Sequence, residues 1–225
     1  MVQYNPNNVR LKDGRLARIR EVSITDAVDL LTLTHAVVAD GRGIVCAYED
    51  VPQSLSEMRT SLYPYLEGHR SGAYGIRLVV ELCDDSRCIV ATAVVYRMSA
   101  SLLRHVAVLG VEVHPDYQGQ GLGRALMNSL VDWARHYGGR LNGGVSRLEL
   151  GVRADNYRAV QLYRSMGFEV ESVRKRFVRL STGHFVDELV MTRFLPLHYE
   201  ERWGDNRPHG HRDKSPRLRL IPKSA

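Results

Sequence analysis

Covalent and metal cross-links have little to work with in this chain of 225 residues. It carries three cysteines, Cys46, Cys83 and Cys88, and no C-x-x-C pair. An odd count without that spacing points to neither a disulfide framework nor a zinc site. Cys83 and Cys88 flank Asp84-Asp85-Ser86-Arg87, a hairpin-turn sequence, and the expectation is reduced thiols in the core. No apolar run approaches the ~20 residues that a membrane helix needs. The segment from Met1 to Arg10 is polar and lacks the apolar centre of a signal peptide. The protein is therefore expected in the cytoplasm, without a membrane partner. No internal repeat is visible. Helix-turn-helix, RRM, KH and zinc-finger patterns are missing too, which argues against a nucleic-acid partner.

What is present is ordinary for a globular protein: 44% hydrophobic and 25% charged residues, with a net charge of +6. The length allows one sizeable core. The positive balance favours acidic partners, and a site holding several phosphates would supply one. Residues 15–24 alternate as a strand. A helix with Thr25 or Asp26 as N-cap follows to about Ala39. Ser54-x-x-Glu57 is a capping box opening a second helix, which Pro64 kinks or stops. Tyr74 to Leu82 and Cys88 to Met98 read as a hairpin, and 105–113 as the next strand. Leu122, Ala125, Leu126, Leu130, Trp133, Ala134 and Tyr137 then keep helical period over four turns, with Gly138-Gly139 as the stop. After strand 147–152 and a helix capped by Asn156 come two long strands, 168–180 and 184–195. The order is β-α-α-β-β-β-α-β-α-β-β. A domain over 1–197 and a basic, flexible tail over 198–225 are expected.

The run Gln118-Gly119-Gln120-Gly121-Leu122-Gly123-Arg124 sits between strand 106–113 and the strongest helix. A glycine-rich turn there leaves backbone N–H groups unpaired at the positive end of the helix dipole, a site for a pyrophosphate. It is not a nucleotide P-loop, because no lysine follows Gly123. Nor is it the dinucleotide fingerprint, because its glycines come late, after several antiparallel strands. What remains is Q-x-x-G-x-G, met by Gln118, Gly121 and Gly123. A second signature, N-x-x-A-x-x-L-Y-x-x-x-G-F, is met by Asn156, Ala159, Leu162, Tyr163, Gly167 and Phe168.

On these two linked motifs the chain resembles the GNAT superfamily of acetyl-CoA-dependent N-acetyltransferases, over roughly residues 105–195. The resemblance implies an α/β fold, a mixed and mostly antiparallel central sheet flanked by helices. In it a splayed parallel strand pair, here 106–113 and 147–152, holds the CoA arm. It implies acetyl-CoA as co-substrate and no metal. The pyrophosphate would lie on the N–H groups of Gln118, Gly119, Gln120, Gly121, Leu122, Gly123 and Arg124, with no Cβ on Gly121 or Gly123 in its way. The Arg124 side chain would add charge there or stand as a solvated surface group. Main-chain groups of Val111 and Val113 would bind the pantetheine arm as an added strand, and Asn156 would bind the cofactor from the next helix. Tyr163 would be the general acid for the CoA thiolate; on the residues alone it is equally a core aromatic.

The attacking amine must be neutral, so a base is needed. Glu112 and His105 are nearest in sequence, and Glu112 is the choice. Its side chain lies opposite those of Val111 and Val113, where it is a buried base or a structural carboxylate. The N–H of Val113 is the candidate oxyanion donor. The acceptor, an amine on a small molecule or peptide, would enter between the first two helices, the Asp40–Gln53 loop and the last hairpin. Arg174-Lys175-Arg176 would face an anion or simply solvent. The alternatives are a non-catalytic acyl-CoA-sensing module and nucleic-acid binding by the tail. A homodimer stays open.

Overall fold

A computed structural model describes residues 4–66, 75–136 and 144–196. Eight strands form one sheet: β1 (Asn7–Arg10), β2 (Leu16–Glu21), β3 (Gly75–Leu82), β4 (Ile89–Arg97), β5 (Val106–Val113), β6 (Arg147–Arg153), β7 (Glu169–Arg179) and β8 (Phe185–Phe194). Four helices accompany them: α1 (Ala27–Asp40), α2 (Leu55–Leu66), α3 (Leu122–His136) and α4 (Tyr157–Ser165). The sheet order is β1-β2-β3-β4-β5-β6-β8-β7. Every neighbouring pair is antiparallel except β5 and β6.

The mixed, mostly antiparallel sheet agrees with the sequence expectation, with one strand more. β1 is short and polar, with one half-buried valine, so it lacks the apolar alternation that marks a strand; it forms by pairing with β2. Asp26 is the N-cap of α1, as expected, but its side chain makes no bond to the helix. Ser23 opens a 3-10 turn over Ile24–Asp26, and the Asp26 carboxylate accepts the Ser23 N–H at 2.7 Å. Arg20 then grips the same carboxylate through both terminal nitrogens at 2.8 Å. α1 ends at Gly41, whose φ of +65° is the left-handed stop that glycine accepts without strain.

α2 opens on the expected capping box, with the Glu57 N–H on Ser54 Oγ at 3.2 Å. It carries Pro64 inside and runs to Leu66. Cys83 and Cys88 lie beside the β3–β4 turn as free thiols, but exposed rather than in the core. The turn is too polar to be covered, so its flanking cysteines stay at the surface. The Gly138-Gly139 stop of α3 and the 198–225 tail lie outside the described residues.

The helices divide between the two faces of the sheet. Leu122, Leu126, Met127, Leu130, Val131 and Ala134 of α3 pack with Val160, Met166 and Phe168 against Leu78, Val80, Ala91, Ala93, Leu109, Leu148 and Leu150. On the opposite face Leu30, Leu33, Met58 and Leu62 of α1 and α2 cover Val79 and Ile89 in a smaller core. Removing one fully buried side chain, as in Leu126→Ala, costs about 2–5 kcal/mol.

β5 and β6 pair only at Val106–Arg147, Ala107–Leu148 and Val108–Glu149. Beyond those residues β5 stays bonded to β4 as far as Val113, and β6 to β8 as far as Arg153. Two strands held by different neighbours diverge, and the sheet opens between them. That opening positions the site.

Candidate active site

The main chain of β5 turns alternate residues toward opposite neighbours. The His114 N–H donates to Val90 O and the Met98 N–H to Val106 O, so the even-numbered groups of β5 face β4. The odd-numbered ones face β6, as His105 O shows by accepting the N–H groups of Ser146 and Arg147. After Val108 β6 is no longer registered with that edge, which leaves the main-chain groups of Val111 and Val113 turned into the opening. The Val111 and Val113 side chains meanwhile pack on the larger core. Gln118 reaches back, with Nε2 at 3.5 Å from Val113 O, tying the glycine turn to this edge.

In the turn, Gly119 and Gly121 have φ of +84° and +93°. The first α-helical bond beyond it runs from the Ala125 N–H to Gly121 O at 3.1 Å. Among the described residues, the N–H groups of 119–124 make no such turn or cap bond. A Cβ on Gly121 would meet nothing within 4 Å, so the backbone there is open to a large anion. The Gln120 Oε1 is buried without a partner. A Cβ on Gly123 would sit 3.3 Å from Leu162 Cδ2, so this glycine also lets α3 and α4 approach. Arg124 crosses to α4 and donates to Ser165 Oγ at 2.7 Å.

The turn's closest side-chain cation is one that the sequence reading missed. Arg158 Nη2 lies 2.5 Å from where a Cβ of Gly119 would be. It stands two residues after Asn156, at an unspecified position of the second motif, and only the fold brings it to the turn. Bare amides, an uncovered glycine and a guanidinium beside it fit a pyrophosphate.

Asn156 caps α4 through Oδ1, which accepts the Ala159 N–H at 3.2 Å. On this helix Tyr163 packs against the larger core, its ring 6.1 Å from that of Phe168. Burial pushes its pKa up to about 12, so the phenol keeps its proton at neutral pH.

The other face of the opening is polar. Thr92 on β4 is paired with Glu112 on β5, Arg153 on β6 with Glu188 on β8, and Glu188 with Arg174 on β7. These five side chains form a row across the sheet on the α1–α2 side, broken by the opening. Arg77 on β3 joins it, donating from Nε to Thr92 Oγ1 at 3.2 Å. Glu112 Oε2 is buried with no hydrogen-bond partner among the described residues. Burial raises the Glu112 pKa above the usual carboxylate range, and the Arg77 charge draws it partly back.

Cys46, in the loop between α1 and α2, is close enough for Glu112 to help raise its thiol pKa, after burial and Asp50. His105 is exposed at the closed end of the β5–β6 pair, away from the opening, and is no base for it. The basic run of the last hairpin is engaged within it: Arg174 with Glu188 and Lys175 with Asp187, both at 2.8 Å, and Arg176 stacked on Phe185. No group of three or more His, Cys, Asp or Glu suited to a metal occurs among the described residues, and no described helix is long and apolar enough to cross a membrane.

A glycine turn leading from a split parallel strand pair into a helix, with a protonated phenol on the next helix, defines an acyl-CoA-dependent acyltransferase fold. The Acetyltransferase (GNAT) family matches residues 45–168, more than half of the chain. Ribosomal protein bS18-alanine N-acetyltransferase of Salmonella typhimurium is 31% identical over 150 residues, 66% of this chain and 92% of that protein. The solved ribosomal-protein-alanine N-acetyltransferase of Brucella melitensis is 26% identical, with a TM-score of 0.63 over 79% of this chain and 99% of that one. The structure of yncA from Salmonella typhimurium with its cofactor acetyl-CoA has a TM-score of 0.65 at 22% identity, covering 85% of this chain and 96% of that one. The chain belongs to the GNAT family. It is an acetyl-CoA-dependent N-acetyltransferase of that family.

Proposed function

We propose that the acceptor is the α-amino group at the N-terminus of a peptide or protein, attacked while both substrates are bound. Glu112 carries this assignment. It stands at the opening on the acceptor face, with a buried, unpartnered oxygen and a pKa raised by burial. An α-amine has a pKa of ~7.7–8.0 against ~10.4 for lysine. The proton on an α-ammonium is thus the easier one for a carboxylate to take, and a raised carboxylate pKa narrows the remaining gap. The Salmonella relative, named for an alanine of a ribosomal protein, supports the same acceptor class.

Each step then has a residue. The amides of 119–124 and the Arg158 guanidinium hold the pyrophosphate, and the Arg124 amide counts among them although its side chain is bound to Ser165; the Gln118 N–H, expected there as well, is instead given to Pro115 O at 3.3 Å. Main-chain groups of Val111 and Val113 hold the pantetheine arm along the open edge of β5. Asn156 bounds the cleft from the start of α4. Glu112 takes the proton of the amine, directly or through one water. The Val113 N–H faces the charge that gathers on the thioester oxygen. Tyr163, protonated at neutral pH, gives its proton to the departing thiolate. Orientation of the two substrates supplies much of the rate. A cytoplasmic setting belongs to the same proposal.

The test is thiol release from acetyl-CoA with a set of amines: a peptide with a free N-terminal alanine, its N-blocked form carrying an internal lysine, free amino acids, polyamines and aminoglycosides. The free N-terminal peptide is expected to react fastest. Faster turnover of the blocked lysine peptide or of an aminoglycoside would remove the α-amine assignment while leaving the acetyltransferase intact.

A further inference from the structure

We infer that Arg153 is a positioning residue that fastens the acceptor-side loop to the cofactor-side helix, so that one half of the site sets the order of the other. It rests on the proposed function in treating residues 41–53 as a wall of the amine pocket.

Arg153 ends β6 at the mouth of the opening and is 7% exposed. Its guanidinium is used in two directions. Nε and Nη2 form a fork on Asp155, at 2.9 Å to Oδ1 and 2.6 Å to Oδ2. The fork fixes the plane of the group. Nη1 is thereby aimed at the loop after α1, where it donates to Gly41 O at 2.9 Å and Ile44 O at 3.2 Å. These bonds join residues more than one hundred positions apart in the chain.

Between those two carbonyls lies Gly43, with a φ of +78°. A Cβ there would collide with the side-chain amide of Asn156. Asn156 is also the cap of α4, the helix that carries Tyr163. Loop, Arg153, Asn156 and α4 are thus in continuous contact. The far end of the loop is fixed separately, by His35 Nε2 on Pro52 O at 2.8 Å and by the Gln53 side chain on Val51 O at 2.7 Å. Cys46, near Glu112, lies between the two anchors. Were Arg153 released, the stretch that spans the acceptor face would keep one anchor and lose the other. A lysine would not replace it, because a point-like ammonium has no planar fork to hold Asp155 and two carbonyls at once.

The experiment uses the full chain with Arg153→Gln and Asp155→Asn. Asp155 has a partly exposed side chain, so its variant loosens the fork without burying an unpaired group. Three quantities are read: hydrogen exchange of the amides of 41–46, the KM of the alanine-terminated peptide, and the Kd of acetyl-CoA by calorimetry.

Loss of charge-assisted bonds should speed exchange in 41–46 and raise the peptide KM, each by about tenfold or more for Arg153→Gln and less for Asp155→Asn. The acetyl-CoA Kd should stay within about twofold, because none of the lost bonds reaches the glycine turn. Unchanged exchange in 41–46 overturns the inference. So does a joint rise of KM and Kd with a lower melting temperature, the mark of a general structural role. If Arg153→Gln does not fold, Asp155→Asn decides by the same criteria. Should the wild-type enzyme reject the peptide but the loop still loosen in the variants, the acceptor assignment fails and the latch stands.

Discussion

The two faces of the sheet beside the opening are built from different materials. Under α3 and α4 it is dry: Leu148, Leu150, Ala91, Ala93 and Leu109 pack against Leu122, Leu126 and Leu130, and the chemistry at its edge is main chain. Under α1 and α2 the same strands carry Thr92, Glu112, Arg153 and Glu188, with Arg77 beside them, and the chemistry is side chain. The first face suits a substrate part that never varies, the diphosphate and its arm, because backbone groups cannot change with sequence. The second suits a variable acceptor, because each of its groups is one substitution away from another. One fold can thus hold a fixed donor and different amines.

The sharpest way to break this division is Gly121→Glu. A side chain at 121 meets no protein atom within 4 Å, so the domain still folds, with about 1–2 kcal/mol of strain from the left-handed φ. The new carboxylate projects from the turn assigned to the pyrophosphate. Acetyl-CoA binding should be lost to calorimetry while the circular dichroism spectrum is kept. Undiminished affinity would mean that the donor is not held by main chain at this turn.

Tyr163→Phe comes next. It deletes one hydroxyl on the donor side and leaves the ring packed on Phe168. A lost general acid lowers kcat by about 10²–10⁴-fold, and the acetyl-CoA Kd should barely move. Unchanged turnover would return Tyr163 to the role of a core aromatic.

The same division explains what the sequence made legible. A main-chain site is written in glycine positions and in the period of the following helix, both local patterns, so Gly119, Gly121, the α3 stripe and the Asn156 cap could be read directly. Gly123 shows the limit: its spacing was legible, while its contact with Leu162 depends on how two helices cross. A side-chain site is assembled across strands. Glu112 was found because alternation sets it opposite its neighbouring valines. Its dependence on Arg77, its pairing with Thr92 and the Arg153–Gly41 bond join distant residues with no local signature. Arg158 was hidden for the same reason. Where local signals competed, the tertiary contact won: Asp26 is the N-cap residue of α1, but Arg20 and the Ser23 N–H take its carboxylate, so it makes no side-chain cap bond to the helix.

The smallest effect gives the finest test of the acceptor face. Glu112 acts as a base only when ionised. The kcat/KM of the wild-type enzyme should therefore fall toward low pH along a limb set by its raised pKa, and Glu112→Gln should abolish that limb together with most of the activity. Arg77 stabilises the ionised form, since its charge opposes the effect of burial. In Arg77→Met that opposition is gone, the Glu112 pKa rises further, and the limb moves to higher pH. Well above the limb the carboxylate is ionised in both proteins, so the loss there should be less than about tenfold, while at mildly acidic pH it widens. A limb that stays in place in Arg77→Met would mean that the titrating base is a group other than Glu112. Because the pair spans three strands of one face, its response measures how far the side-chain half of the site works as a unit, independently of the main-chain half across the sheet.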